Sequence, residues 1–225
     1  MVPSQVTTKQ ILDTALQLAE EQSWAALRLH NIAEKLDITL DQIRNHYSQK
    51  DDIAEALFDR ADQAMLAAAN KSDFLEQPLK ERLQHLIMAW LDELAPHRRI
   101  TREVLQYKML PLHVHLQMHG LTRLSRTMQW LCEAAVLESL DSSMRRELEE
   151  TGITGIYLLS FQHWLSDDSV GSESTRQLLS RLLNRAEKLG GLIFGPRNTI
   201  SGRSTTSEFS KTHRHSKGGD EAALH

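Results

Sequence analysis

The sequence predicts an all-α protein, and three observations lead to this prediction. Aromatic residues make up only 5% of the 225 residues, and there are just 10 glycines and 5 prolines, so strand-forming and chain-breaking residues are both scarce. Apolar residues recur at intervals of three and four along most of the chain, which is the spacing of one helix face. No segment before residue 70 alternates with the period of two that a half-buried strand shows.

Charge and cysteine content exclude several classes of protein. The chain has 26 Lys and Arg against 30 Asp and Glu, a formal charge of −4, so it is not a uniformly basic nucleic-acid-coating protein, although a locally basic surface stays possible. Its single cysteine, Cys132, excludes an internal disulfide framework. We find no run of 18 apolar residues and no signal pattern, and expect a cytoplasmic protein without integral membrane association.

The first 70 residues predict three short helices and one long helix. Thr39 and Gln42 have the spacing of a capping box, so the third short helix should begin at Leu40. The segment 48–51 is a second start signal. The apolar positions of the first, second and fourth helices are Ile11, Leu12, Ala15, Leu16 and Ala19; Leu29, Ile32, Ala33 and Leu36; and Ile53, Ala54, Leu57, Phe58, Ala61 and Met65.

Helical patterning returns after a polar connector over 70–78, for a total of about nine helices. Pro96, Pro111 and the turn-rich segment 166–171 separate the later helices. We predict these helices from Leu79 to Pro96 and over 98–108, 121–137, 144–165 and 175–189. Residues 197–225 hold almost nothing to bury, and we predict a disordered tail there.

A short helix, a tight turn at 36–38 and a second short helix form the arrangement of a helix-turn-helix reader, whose second helix enters the major groove. The matching residues, Ile11-Leu12-x-x-Ala15, Ile32-Ala33, Ile38-Thr39 and Ile43-x-x-His46-Tyr47-x-x-Lys50-Asp51-x-Ile53, resemble the TetR family of bacterial transcriptional regulators. This resemblance implies a DNA-binding domain over 8–55 and a helical regulatory and dimerisation domain over 56–190.

The resemblance also implies roles for individual residues. The DNA-facing set is Thr39, Gln42, Arg44, Asn45, His46 and Lys50, and the core of the DNA-binding domain is Ile32, Ile38, Ile43 and Tyr47. Gln42 and Asn45 can pair with adenine, while Arg44 can pair with guanine or phosphate. Lys50 is expected over a phosphate, to which the N-terminus of the fourth helix adds backbone N–H groups.

The charge of this reading head, residues 1–55, leaves an alternative open. Five Lys and Arg stand against nine Asp and Glu, a net charge of −4, and Asp37 and Asp41 stand where such regulators often carry a glycine and a small residue. Phosphate contacts dominate affinity for DNA, so an acidic head works against binding. The alternative is a TetR-type fold whose DNA binding is weakened or lost.

Residues from about 95 to 188 resemble the ligand-binding half of some TetR regulators. The motifs include Pro96-His97-Arg98-Arg99, Met109-Leu110-Pro111, Thr127-x-x-Trp130 and 164–169. They also resemble a ubiquinone-biosynthesis lipid-binding protein of the same fold, which gives a second hypothesis: an isoprenoid carrier that does not bind DNA. The large apolar candidates for an effector pocket are Met88, Trp90, Met109, Met128, Trp130 and Leu131, each of which ordinary core packing also explains.

The resemblance implies a homodimer that binds a double-stranded operator and responds to a hydrophobic small molecule. The last two helices would pair with their copies through Leu158, Leu159, Phe161, Leu178, Leu182 and Leu183. The effector would favour one spacing of the two reading heads, so the regulator, most simply a repressor, would change its operator affinity.

We predict that the protein binds no metal ion and no cofactor and that it is not an enzyme. His115 and His119 have a chelating spacing with His113 nearby, but no fourth ligand lies close in sequence. No nucleophile elbow, phosphate loop or metalloprotease motif is present. Residues 96–130 carry six cations against one anion, a net charge of +5. This stretch is either a patch that binds an anion or a membrane surface, or a solvated helix face that balances the acidic first domain or contacts it electrostatically. We favour the second interpretation.

Overall fold

The computed structural model describes residues 6–108, 114–136 and 143–194, and the side chains of 6–107, 122–136 and 149–189. The described chain is all-helical, which confirms the predicted fold class. Its α-helices are α1 Thr8–Gln22, α2 Leu29–Leu36, α3 Leu40–Arg44, α4 Lys50–Ala69, α5 Leu79–Leu94, α6 Arg98–Lys108, α7 Val114–Ala134, α8 Ser143–Trp164 and α9 Glu173–Phe194. Single 3-10 turns occur at Phe74–Glu76, Ala95–His97 and Val170–Ser172.

Most predicted helix boundaries agree with the structure. α3 begins at Leu40 behind the Thr39 cap, and α6 covers the predicted residues. Two predictions were wrong. α7 begins at Val114, seven residues before the predicted start at Leu121, and α9 continues to Phe194, five residues past Leu189. Gly120 lies inside α7 just before the predicted start, and Gly190 and Gly191 lie inside α9 just after the predicted end. A helix tolerates glycine in its interior, where Gly costs only about 1 kcal/mol relative to Ala.

The turn between α2 and α3 is formed by Asp37 in the left-handed region, with φ 52° and ψ 47°. The Ile38 N–H donates to the Ala33 carbonyl (3.0 Å) and the Asp37 N–H donates to the Glu34 carbonyl (3.3 Å), so the last carbonyls of α2 are satisfied. Asp is among the few non-glycine residues that adopt this conformation readily, which explains how it replaces the expected glycine.

One continuous hydrophobic cluster runs from Ile11 in α1 to Leu183 in α9. The predicted domain boundary at residue 55 falls inside α4, which packs on α1 on one side and on α5 and α7 on the other. The reading head and the remaining helices therefore share a core, because α4 contributes buried residues to both. The predicted tail, 197–225, lies outside the described residues.

Candidate nucleic-acid interface

The start of α3 is fixed by a reciprocal cap between Thr39 and Gln42. The Gln42 N–H donates to Thr39 Oγ1 (3.2 Å), and the Thr39 N–H donates to Gln42 Oε1 (2.9 Å). Two predicted DNA-facing side chains are thus also the residues that start the reading helix. Because Gln42 Oε1 already accepts the Thr39 N–H, the amide Nε2 is the part of Gln42 most available to a base edge.

Arg44, Asn45 and His46 lie exposed at the end of α3 and just beyond it. Asn45 is the C-cap residue, and its N–H donates to the Asp41 carbonyl (3.1 Å). Nδ1 of His46 lies 3.1 Å from Thr8 Oγ1 at the start of α1. Of the predicted set, Arg44 and Asn45 present donors at the exposed end of the helix, while the His46 ring is held against α1.

The predicted core residues pack beneath this exposed face. Ile32, Ile43 and Tyr47 are buried, and Ile38 is half-buried against the same cluster. The Tyr47 hydroxyl donates to the Thr8 carbonyl (3.1 Å), and burial, with the charges of Asp13 and Asp59, raises the pKa of Tyr47 to about 12. Tyr47 and His46 both contact Thr8, so the segment after α3 is tied to the first turn of α1.

Lys50 lies at the start of α4, as predicted, and its side chain is bonded to the protein's own backbone. Its Nζ donates to the carbonyls of Trp24 (2.6 Å) and Leu27 (2.9 Å) and lies 5.2 Å from the centroid of the Trp24 ring. Burial lowers the pKa of this ammonium group. Lys50 thus cross-links α4 to the α1–α2 turn. No sequence pattern indicates the contact, because its acceptors are backbone atoms more than 20 residues away.

The predicted anion site at the start of α4 is also changed by a side chain of the protein. Asp52 Oδ2 accepts the backbone N–H groups of Ser48 (2.8 Å) and Gln49 (3.2 Å). A carboxylate in the first turn stabilises the helix, and it repels a phosphate at the same position. Asp41 is exposed in the first turn of α3, so the acidity noted in the sequence lies on the reading head itself.

Five of the six cations in the basic stretch 96–130 contact other parts of the protein, as the interpretation we favoured expected, and the side chain of the sixth, Lys108, lies outside the described residues. Arg99 pairs with Glu20 of α1 (3.0 Å), and Arg123 and Arg126 pair with Asp59 of α4. Arg98 and Arg102 donate to backbone carbonyls after α8. These guanidinium groups hold helices together and neutralise acidic residues of α1 and α4.

The interior where we expected an effector is filled by packed aromatic rings. Trp90 is buried, and the centroid of its ring lies 6.1 Å from that of Phe58, 5.4 Å from that of Tyr157 and 5.2 Å from that of Phe161. Its Nε1 donates a hydrogen bond to Asp62 Oδ1 (2.8 Å). Met88 and Leu131 are buried in the same core, whereas Trp130 is 47% exposed. Met109 lies outside the described residues. Among the predicted pocket residues whose side chains are described, Met128 is the one that lines an open space.

That open space is a groove of about 930 Å³ between α7 and α8. Its apolar lining includes Leu124 and Met128 of α7 and Leu158 of α8. Its polar lining includes Gln129, Thr154 and the carboxylates of Glu133 and Glu150. Sequence reasoning missed it because a gap between two helices depends on their separation. The periodicity of either helix carries no signal of that distance.

No group of three or more metal-binding side chains occurs among the described residues. The side chains of His113, His115 and His119 fall outside them. None of the described helices is long and apolar enough to cross a membrane.

Comparisons with solved structures give matches to transcriptional regulators. A TetR transcriptional regulator from Nitrosomonas europaea ATCC 19718 is 42% identical, with a TM-score of 0.72 over 80% of this chain and 98% of that one. A TetR-like transcriptional regulator from Rhodococcus sp. RHA1 is 19% identical, with a TM-score of 0.50 over 84% and 99% of the two chains, which shows a shared fold. No protein-family model and no curated protein matches the sequence. The resemblance to the ubiquinone-biosynthesis protein finds no support in these comparisons.

Proposed function

Because the chain belongs to the TetR family of transcriptional regulators, we propose that it is a homodimeric operator-binding protein, most simply a repressor, acting in the cytoplasm. Residues 8–55 would bind DNA, and residues 56–190 would dimerise and respond to an effector. The observation that carries this proposal is the identity of 42% to a TetR regulator that extends over 98% of that regulator's length, helix-turn-helix included.

The reading helix is α3, and Arg44 and Asn45 are its principal donors. Arg44 suits a guanine edge or a phosphate, and Asn45 suits the paired donor and acceptor of adenine. His46 and Lys50 act in a second way: they tie the end of α3 and the start of α4 to α1 and to the α1–α2 turn. We therefore assign sequence readout to Arg44, Asn45 and the Gln42 amide, and support of the reading head to His46 and Lys50.

The dimer forms through α8 and α9. Three apolar side chains on these helices are exposed, and a second copy of the chain would cover them. They are Leu158 (42% exposed) and Leu159 (57%) on α8, and Leu189 (57%) on α9. Leu178 is half-buried. Phe161, Leu182 and Leu183 pack against or within the protein's own core, Phe161 on the rings of Trp90 and Trp164. The interface is thus narrower than the six residues that the sequence offered.

The effector site is the α7–α8 groove. Leu124 and Met128 favour an apolar molecule, and Gln129 and Thr154 add groups that can orient it by hydrogen bonds. The carboxylates of Glu133 and Glu150 also line the groove, so a hydrogen-bond donor on the molecule would suit it. An effector that prefers one separation of α7 and α8 would shift the population between two arrangements of the dimer, and operator affinity would change with it.

The decisive experiment is selection of bound sequences from a random double-stranded DNA library by the purified full-length protein. We expect an inverted repeat whose half-sites lie about one helical turn, about 10 bp, or a multiple of that apart. Sedimentation of the same sample should show a dimer at micromolar concentration. Failure to enrich any sequence over unselected DNA would overturn the operator-binding function, and a monomer would overturn the two-half-site mechanism.

A further inference from the structure

α6 carries four charged side chains within its first six residues, arranged as two pairs. Arg98 and Arg102 form one pair, and Arg99 and Glu103 form the other. Residues four apart lie on the same face of a helix, and adjacent residues lie about 100° apart around it. The two pairs therefore project from neighbouring faces of α6.

The first pair holds the corner between α8 and α9. Arg102 donates to the Leu165 carbonyl. Arg98 donates to the Asp167 carbonyl and to Ser172 Oγ (2.7 Å), and its guanidinium lies 4.6 Å from the centroid of the buried Trp164 ring.

Asp167 in turn fixes the start of α9. Its Oδ2 accepts the Thr175 N–H (2.8 Å) and its Oδ1 accepts the Ser169 N–H (2.9 Å), and each oxygen also accepts the hydroxyl of the same residue. Burial favours the neutral carboxyl, but the hydroxyl and N–H donors outweigh it and lower the pKa of Asp167. The corner to which α6 is bonded is thus itself hydrogen-bonded to the first turn of α9. A change in the angle between α8 and α9 would act directly on Arg98 and Arg102.

The second pair holds the end of α1 and the turn that follows it. Arg99 Nη2 donates to the carbonyls of Ala19 (3.0 Å) and Glu20 (2.7 Å) in the last turn of α1. The Ala19 carbonyl also accepts the Ser23 N–H (2.9 Å), so Arg99 joins the C-terminal cap of this helix. Glu103 Oε2 accepts the backbone N–H of Trp24 (2.6 Å). Arg99 and Glu103 also bond to each other (2.7 Å), so the two contacts act together.

Trp24 is held from the opposite side by α4. Its N–H is bonded to Glu103 of α6, and its carbonyl is bonded to Lys50 of α4. The Trp24 side chain is itself 1% exposed. The turn that leads into α2 and α3 is therefore clamped between α4 and α6.

We infer that Arg99 and Glu103 are positioning residues that couple the reading head to the α8–α9 corner. In the dimer, α8 and α9 belong to the interface, so α6 links that interface to the tilt of α3. These two residues would then set the separation of the two reading helices and the half-site spacing that the dimer accepts. The inference rests on the proposed function only in this last step, since the polar link itself involves no DNA.

The DNA test measures affinity against spacing. The affinities of wild type, Arg99→Gln and Glu103→Gln are measured for a series of duplexes in which the distance between two half-sites changes by 1 bp at a time. A duplex with a single half-site is measured in parallel. Wild type should bind the duplex of preferred spacing more tightly than duplexes 1 bp shorter or longer. We expect each variant to reduce this preference about fivefold or more and to leave the affinity for a single half-site unchanged. The matched control is Arg176→Gln, which removes an interhelix ion pair with Asp92 (3.1 Å) away from α6.

A merely structural role would lower affinity for all duplexes together, in step with thermal stability. An unchanged spacing profile in both variants, or one that changes equally in Arg176→Gln, would overturn the inference. A wild-type protein that binds no duplex would overturn the proposed function, which is a distinguishable result.

Hydrogen exchange tests the polar link without DNA. In the full-length protein, Arg102→Gln removes a contact at the α8–α9 corner. We expect faster amide exchange at Trp24 through Leu27, although Arg102 does not contact that turn. Exchange equal to wild type in that segment would overturn the coupling, whether or not the protein binds DNA.

Discussion

Asp62 of α4 and Arg123 of α7 form an ion pair inside the protein, with 2.6 Å between Oδ2 and Nη2 and each side chain 8% exposed. Thr127 Oγ1 (3.0 Å) and Trp90 Nε1 (2.8 Å) also donate to this carboxylate. Burial raises the pKa of Asp62, and the Arg123 charge and the two hydrogen bonds act in the opposite direction. The pair joins α4, α5 and α7 beside the aromatic core.

Replacing Asp62 by Asn should lower the free energy of unfolding by about 2 kcal/mol, because the buried guanidinium of Arg123 loses its buried carboxylate partner and keeps only the half-exposed Asp59. Urea denaturation measures this change. The double variant Asp62→Asn with Arg123→Met should recover part of the loss, since it no longer buries a charge. A single variant within about 1 kcal/mol of wild type would contradict the role of the pair.

Lys50→Met should destabilise the protein by about 1–3 kcal/mol, because the Trp24 and Leu27 carbonyls lose a charged donor. Thermal and urea unfolding measure this effect. The variant should keep the wild-type salt dependence of DNA binding, since its ammonium already bonds to the protein. A slope reduced by about one unit with unchanged stability would instead place Lys50 on a phosphate.

Arg44→Ala should weaken DNA binding and reduce the slope of log K against log[salt] by about one if Arg44 contacts phosphate. If it contacts a guanine edge, the loss should be about 1–3 kcal/mol and confined to one position of the operator. Gel-shift titrations at several salt concentrations distinguish the two results. Arg185→Ala, an exposed cation on α9, is the control and should bind like wild type.

Asp41→Asn should tighten non-specific DNA binding, because it removes an exposed negative charge from the first turn of α3. The same change should cost at most about 1 kcal/mol of stability, since the carboxylate favours the helix N-terminus. Glu173→Gln removes a corresponding charge from the first turn of α9 and should leave DNA binding unchanged. Equal effects of the two substitutions would mean that net charge matters and position does not.

The pH dependence of stability should report on His97, which lies between Glu20 and Arg60. Burial and the Arg60 charge lower the pKa of His97 below 6.5, although Glu20 acts against them. Because the folded state disfavours the protonated ring, the stability contribution is present above pH 6.5 and is lost as the pH falls below it. Urea unfolding at pH 7.5 and 5.5 should show a smaller decrease for His97→Gln than for wild type.

The sequence predicted the helical elements well where the signal was local. The spacing of Thr39 and Gln42 predicts the start of α3, and Pro96 and Pro111 predict the limits of α6. These signals are local because caps and prolines act within one turn of helix. The same rules failed at the start of α7, which we predicted too late, and at the end of α9, which we predicted too soon. Glycines lie inside both helices at these places.

The candidate site was predicted only in part, for the same reason. The exposure of Arg44 and Asn45 follows from their place on an amphipathic helix over Ile43. The cross-links of Lys50 to Trp24 and of Asp52 to the Ser48 N–H were not foreseen, and the first depends on how α4 crosses the α1–α2 turn.

The sequence by itself thus determined an all-α chain with a helix-turn-helix near its start, since periodicity, capping and spacing are local properties. Only the tertiary structure decided which cationic side chains are bonded within the protein and which stay exposed to a binding partner such as DNA. Arg99, Arg123 and Lys50 read alike as surface cations in the sequence. Helix packing brings each against a carboxylate or a backbone carbonyl, because polar groups that lose water on packing need such partners.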